Sequence, residues 1–303
     1  MPLIQLQLRA GDIAEAVDAF IVNLHAQGRS EHTVAAYRRD LNCFIRALPV
    51  CLHEITPATI DVALTHPTAT HSADGTQKST ATMHRLKATL RSFFEWAHNT
   101  GLVESNPARF VKMKRLARTL PKFLTEAEKR RLLKELRDRT DPLARRDRVI
   151  FEIFLGTGIR LAELVNLDID DIDLDGKHMR ITGKGGIPQV KFLKTSLRTL
   201  LRSYLKERRK LADEQNAALF LSSRGTRICG RQVEGRLRHW LAKASIQKRV
   251  TPHGLRHTFA THLYAKTSDL LLVKRAMVHA DISTTEIYTH LADDALEEAL
   301  ERV

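Results

Sequence analysis

Apolar residues recur at helical spacing along almost the whole of this 303-residue chain, and the period changes in one place. That place is residues 178–193, where HMRIT and PQVKFL alternate on either side of GKGG. A short alternating run beside a glycine-rich turn reads as a β-hairpin or small sheet, while a period of about 3.6 residues reads as amphipathic helix. The expected fold class is therefore mainly α. A small all-helical unit comes first, and an α+β unit with the hairpin follows.

The first unit covers residues 1–110. Residues 12–27 place Ile13, Val17, Phe20, Ile21 and Leu24 on one helical face, with Asp12 as cap, Glu15 in a capping-box position and Gly28 closing the helix. Residues 31–47 repeat the pattern through Val34, Tyr37, Leu41, Phe44 and Ile45. Thr56-Pro57 opens a third helix by the cap-then-proline rule. Residues 65–78 are polar and rich in breakers, so a loop is expected. A fourth helix covers 79–98, with Met83, Leu86, Leu90, Phe93 and Ala97 on one face and Arg85, Lys87 and Arg91 largely away from it. Asn106-Pro107 ends the unit.

The second unit covers residues 123–303. Thr125 and Glu128 form a capping box at its first helix. Residues 145–156 are an apolar helix, broken by Gly156 and Gly158 and resumed by RLAELVNL. After the hairpin, helices are expected at 195–210, 230–245, 252–264, 269–277 and 283–288. The terminal ALEEALERV reads as a short amphipathic helix with Leu296 and Leu300 on one side.

Charge separates the units. The chain has 49 Lys and Arg against 35 Asp and Glu, a net +14, yet residues 1–110 hold 10 of each sign. The whole excess lies beyond residue 110. A balance of this kind suits a polyanion and is also compatible with an anionic membrane surface. Residues 111–122, VKMKRLARTLPK, carry five basic side chains, including Lys112, Lys114, Arg115 and Arg118, and no acidic one. Such a run is either a solvated linker or a strap that follows a phosphate backbone. Cys43, Cys51 and Cys229 are too scattered for a redox pair or a structural zinc site and suit a reducing cytoplasm. No apolar run of membrane-spanning length occurs, and the N-terminus has no secretory signal pattern.

Several residues carry chemistry. Thr251-Pro252 starts a helix, placing His253 and Arg256 on one face of its first turns, where amide ends favour an anion. Arg256 can grip two phosphate oxygens with its planar fork. His257 and His262 read as structural histidines. Arg160 follows a TGI break whose glycine permits close approach to a ligand, and Glu163 one turn on can orient the guanidinium or start the next helix. Lys184 in the GKGG turn is either an exposed turn lysine or a mobile general acid. Among the four tyrosines, Tyr37, Tyr204 and Tyr264 read as packing or boundary residues, whereas Tyr288 follows a turn after His279. A phenol attacks only when positive neighbours favour its phenolate. Together these groups can hold a phosphodiester, take attack by a phenol and protonate what leaves. No carboxylate cluster that would hold Mg²⁺ accompanies them, and no cofactor is called for.

At these residues the chain resembles the tyrosine recombinase, or phage integrase, family. TGIRLAEL, the GKG turn, HGLRHTFATHL and TTEIYTH match its motifs, and TVAAYRRDLNCF and RSFFEWAHNTGLVESNPA are similar to its core-binding domain. Val278 stands before His279 where the family usually has glycine, and Gly186 to Gln189 lack the basic residues common in relatives. The resemblance implies a SAM-like core-binding domain at 1–110, a basic linker at 111–122 and a catalytic domain at 123–303. It implies site-specific recombination through a 3′-phosphotyrosyl intermediate. Tyr288 would be nucleophile, Arg160 and Arg256 phosphate clamps, Lys184 general acid, His253 a proton-transfer aid and His279 a hydrogen-bond donor. Double-stranded DNA is the implied partner, with a tetramer at the synapse and possibly a related recombinase. Lys112, Lys114, Arg115, Arg118, Arg85, Lys87 and Arg91 are the candidates for backbone contact. An arm-binding domain does not fit before residue 12, which points to small two-domain Xer-type or transposon- or plasmid-borne members. Relaxation of DNA in the manner of a type IB topoisomerase, and non-catalytic architectural binding, are the alternatives.

Overall fold

The computed structural model describes residues 12–113, 122–183, 186–210 and 216–277. The expected helix at 283–288, the terminal helix with Leu296 and Leu300, and the candidates Lys114, Arg115, Arg118, Lys184, His279 and Tyr288 lie outside these residues. The chain divides into two compact units between residues 118 and 119.

The first unit contains α1 (Ile13–Ala26), α2 (Glu31–Ile45), α3 (Pro57–Thr65), α4 (Pro67–Thr70) and α5 (Thr80–Asn99). Asp12 caps α1 through the Ala14 amide at 2.7 Å, rather than through the Glu15 amide that a capping box would use. Ser30, Thr56 and Ser79 cap the next long helices with their hydroxyls. The stretch 65–78 is not all loop. Pro67 lacks the N–H that a first helical position leaves unpaired, so it opens α4 behind the His66 cap. The core is centred on Phe20, whose ring meets those of Tyr37, Phe93 and Trp96 at 5.7, 5.6 and 5.3 Å. Asp40 is buried beneath α5 and accepts from Arg85 and from Thr89 Oγ1, the latter at 3.1 Å. A buried carboxylate needs such partners, and here they lock α2 to α5.

The second unit contains α6 (Glu126–Arg137), α7 (Pro142–Thr157), α8 (Leu161–Val165), β1 (Ile172–Asp173), β2 (His178–Thr182), β3 (Pro188–Phe192), α9 (Thr195–Arg208), α10 (Gly230–Lys243), α11 (Pro252–Thr267) and α12 (Leu270–Met277). The Thr125–Glu128 capping box is formed. Helix α7 starts earlier than its apolar pattern, behind an Asp141 cap and Pro142. It runs through Gly156 and stops only at Gly158, which is left-handed at φ 63°. Val149, Ile150, Phe151, Ile153 and Phe154 make α7 the buried axis of this unit. Asp147, without solvent exposure, accepts from Arg146 at 2.6 Å, from Trp240 Nε1 at 2.8 Å and from Arg236, pinning α10 to α7.

The hairpin belongs to a three-stranded antiparallel sheet of order β1-β2-β3. The two-residue β1 escaped the sequence because no periodicity shows in so short a strand. The register sets Met179 opposite Lys191 and Ile181 opposite Gln189. Opposed residues share a face. Met179 and Ile181 face the core, so Lys191 does too, at 5% exposure, while Val190 and Phe192 face out at 49% and 79%. Among the described residues no helix is long and apolar enough to cross a membrane.

Candidate active site

The site forms where α7 ends, α8 begins and α11 starts. Gly158 turns the chain there, and a Cβ on it would stand 2.5 Å from the Phe259 ring of α11. Only glycine combines a positive φ with that approach. The turn delivers Arg160 to the N-cap of α8. Its backbone amide donates to Glu163 Oε2 at 2.8 Å and its guanidinium donates to Oε1 at 2.7 Å. Glu163 therefore does both jobs its spacing allowed. Its carboxylate is buried, while the Arg160 side chain is 36% exposed and can meet a ligand.

Helix α11 brings the other two groups. Thr251 caps it by accepting from the Gly254 amide, and Pro252 takes the first position. Thr258 Oγ1 donates to the Gly254 carbonyl and accepts from the Leu124 amide, both at 2.9 Å, which seats the helix start. Arg256 is 2% exposed and reaches across to donate to the Gly158 carbonyl, and at 2.6 Å to the Met277 carbonyl. His253 Nε2 meets His257 Nε2 at 2.9 Å with the rings nearly perpendicular. One nitrogen donates and the other accepts. Burial first, then the charges of Arg256 and Arg160, lower the His253 pKa and favour its neutral form. His262 stands apart from this pair, 2.9 Å from Glu126.

Arg160, His253 and Arg256 thus share one field. A third cation, beside the two arginines, shares it that the sequence reading missed. Lys191 on β3 feels Arg256, Glu163 and Arg160, and burial is the main reason its pKa falls to about 8. Its Nζ donates to the Ala276 carbonyl. The only signal for it lay in pairing across the GKGG turn, which puts Lys191 beside Met179. Fixed positive charge is thereby gathered around the α7–α8 turn. Among the described residues, no three or more His, Cys, Asp or Glu side chains gather as a metal site.

The rejected tyrosines have structural places. Tyr204 is buried, donates to the Leu219 carbonyl at 3.1 Å and has its pKa raised to about 12, chiefly by burial. Tyr264 is buried within the small α11–α12 cluster. Of the backbone-contact candidates in the first unit, Arg85 is engaged with Asp40, Lys87 Nζ donates to the Lys112 carbonyl at 3.3 Å, and Arg91 and Lys112 are exposed.

The model of the phage integrase family matches residues 122–295, and that of the phage integrase N-terminal SAM-like domain matches residues 17–101. The chain is similar to tyrosine recombinase XerC of Vibrio cholerae serotype O1, 36% identical over 290 residues, covering 92% of this chain and 89% of the relative. The XerC of Pelotomaculum thermopropionicum is 34% identical over 294 residues, covering 92% and 94%. Among solved structures, the XerH site-specific recombinase bound to a palindromic difH substrate in a post-cleavage complex superposes with a TM-score of 0.72 at 25% identity, covering 91% of this chain and 81% of that one. XerA recombinase gives a TM-score of 0.54 at 27% identity, covering 95% and 98%.

Proposed function

The chain belongs to the phage integrase family and is a tyrosine-type site-specific recombinase, and from that premise we propose how its own residues carry out strand exchange. The observation that carries the reading is the meeting of Arg160, His253 and Arg256 around the α7–α8 turn, a ready cradle for a phosphodiester. Arg160 and Arg256 bind the non-bridging oxygens and offset the charge that grows in the pentavalent transition state. A guanidinium carries five N–H donors, so anchorage of Arg256 to two carbonyls is compatible with that task. Tyr288 attacks phosphorus and forms the 3′-phosphotyrosyl bond while the 5′-oxygen leaves. Lys184 protonates that oxygen. Neutral His253 accepts the tyrosine proton, and His279 donates a hydrogen bond to the phosphate. A 5′-hydroxyl of the partner duplex reverses the step.

Residues 1–110 and 123–303 form the two domains that hold the duplex at a specific recombination site, with 111–122 as the basic linker. Four protomers assemble at the synapse, each passing residues 293–303 to a neighbour, and the protein acts in the cytoplasm. Relatives solved on their recombination sites support binding of DNA. The test is a nicked suicide duplex in EDTA. Tyr288→Phe is expected to retain duplex binding and to form no covalent complex. Peptide mapping that finds the DNA on Tyr204 or Tyr264 would overturn the assignment, as would cleavage that needs added Mg²⁺ or Mn²⁺.

A further inference from the structure

Strand β3 has the wrong residues outside. Its apolar Val190 and Phe192 are exposed, and its one lysine is buried against Met179 and the core. Slipping the pairing by one residue would bury the apolar pair and release the charge, so the observed register works against the hydrophobic effect. A buried ammonium also loses its hydration. Among the described residues, two of the charges acting on it, Arg256 and Arg160, are repulsive, and only that of Glu163 is attractive. Folding alone gains little from a lysine here.

Its gain is at the end of α12. A carbonyl oxygen that accepts from a cationic donor makes a charge-assisted bond, stronger than one between neutral groups. Lys191 Nζ donates to the Ala276 carbonyl, and Arg256 Nη2 donates to the next one, of Met277. Two cations from different elements therefore hold two consecutive acceptors. The chain continues from Met277 to His279, two residues on, and Tyr288, eleven residues on.

We propose that Lys191 is a positioning residue for strand cleavage, holding the end of α12 jointly with Arg256 so that the segment bearing His279 and Tyr288 starts from a fixed point. The proposal rests on the reading of Tyr288 as nucleophile. It makes the hold sensitive to pH. The groups facing Lys191 are Arg160 from the α7–α8 turn, Glu163 from α8, Arg256 from α11 and the Ala276 carbonyl from α12. With a pKa of about 8, Lys191 is charged at neutral pH and loses its charge as pH rises through that value, while Arg256 keeps its own.

Lys191→Met keeps the apolar stem and removes the ammonium. Duplex affinity is expected to stay within about threefold of the parent. Single-turnover cleavage of a nicked suicide duplex at saturating protein is expected to fall at least about tenfold. Amide hydrogen exchange across residues 278–290 should quicken, and a decline in parent cleavage as pH passes about 8 should be missing from the variant. If Lys191→Met does not fold, Lys191→Val is held to the same outcomes. Cleavage within about threefold of the parent, with the same pH profile, overturns the proposal. Slowed cleavage with unchanged exchange also overturns it, because the lysine would then act on the DNA directly. Tyr288→Phe in the same assay keeps the two readings apart. A covalent complex that persists in Tyr288→Phe refutes the nucleophile, whereas one that Tyr288→Phe abolishes but Lys191→Met forms at the parental rate refutes the role of Lys191.

Discussion

A lysine and a methionine differ little in length, yet at position 191 they should trade stability against cleavage. The folded-state pKa of about 8 lies below the ordinary 10.5, so between these values the unfolded chain binds more protons than the folded one. Stability contributed through this group therefore rises with pH across that window, and below pH 8 its full cost is present, on the order of 3 kcal/mol. Lys191→Met should raise the melting temperature at pH 7 by several degrees, or about 1–3 kcal/mol after loss of the bond to Ala276. The advantage should shrink towards pH 10. Calorimetry across pH 6–10 checks it, and an equal or lower melting temperature at pH 7 would remove the case for strain at this site. The other residues of the site were legible because their chemistry is local. Arg160 and Glu163 are three apart, as are His253 and Arg256, and such spacings survive folding. Lys191 was illegible for the opposite reason. Its role depends on a strand register and on α12, which is 85 residues away in the chain.

At the scale of elements, caps and punctuation decided what could be read. The long helices of both units stand close to their expected spans because their apolar faces are periodic, and Ser, Thr or Asp caps mark the starts of α1, α2, α5, α6, α7 and α11. Helix α4 hid in a polar stretch, since four residues have no periodicity and only Pro67 marked it. The start of α7 lies three residues before the expected 145, at Pro142, and its cap, Asp141, is the informative signal. Its end depends on Gly158, where a side chain would be strained by φ and blocked by Phe259. Gly158→Ala should cost more than about 2 kcal/mol, because the left-handed penalty and a ring displacement add. It should slow cleavage as well, since the Gly158 carbonyl anchors Arg256. Chemical denaturation and single-turnover cleavage read the two effects. A variant with parental stability would show that the α7–α11 approach yields easily.

Across the whole molecule, charge is divided between the parts. Residues 1–110 carry equal numbers of each sign, so the basic excess begins at residue 111. Replacing Lys112, Lys114, Arg115 and Arg118 with Ala should weaken binding to target and random duplexes alike. It should also reduce the slope of log affinity against log salt by about 0.9 for each phosphate that the linker no longer neutralises. An unchanged slope would identify the linker as a solvated strap. The two-unit plan was legible from this asymmetry and from the Asn106-Pro107 stop, whereas no pattern in a sequence tells which element a buried cation will hold. That buried lysine has a consequence across generations. Selection for a durable protein favours an apolar residue at 191, and selection for strand exchange opposes it. Copies freed from the need to recombine should drift there early, becoming longer-lived and slower by the same single step.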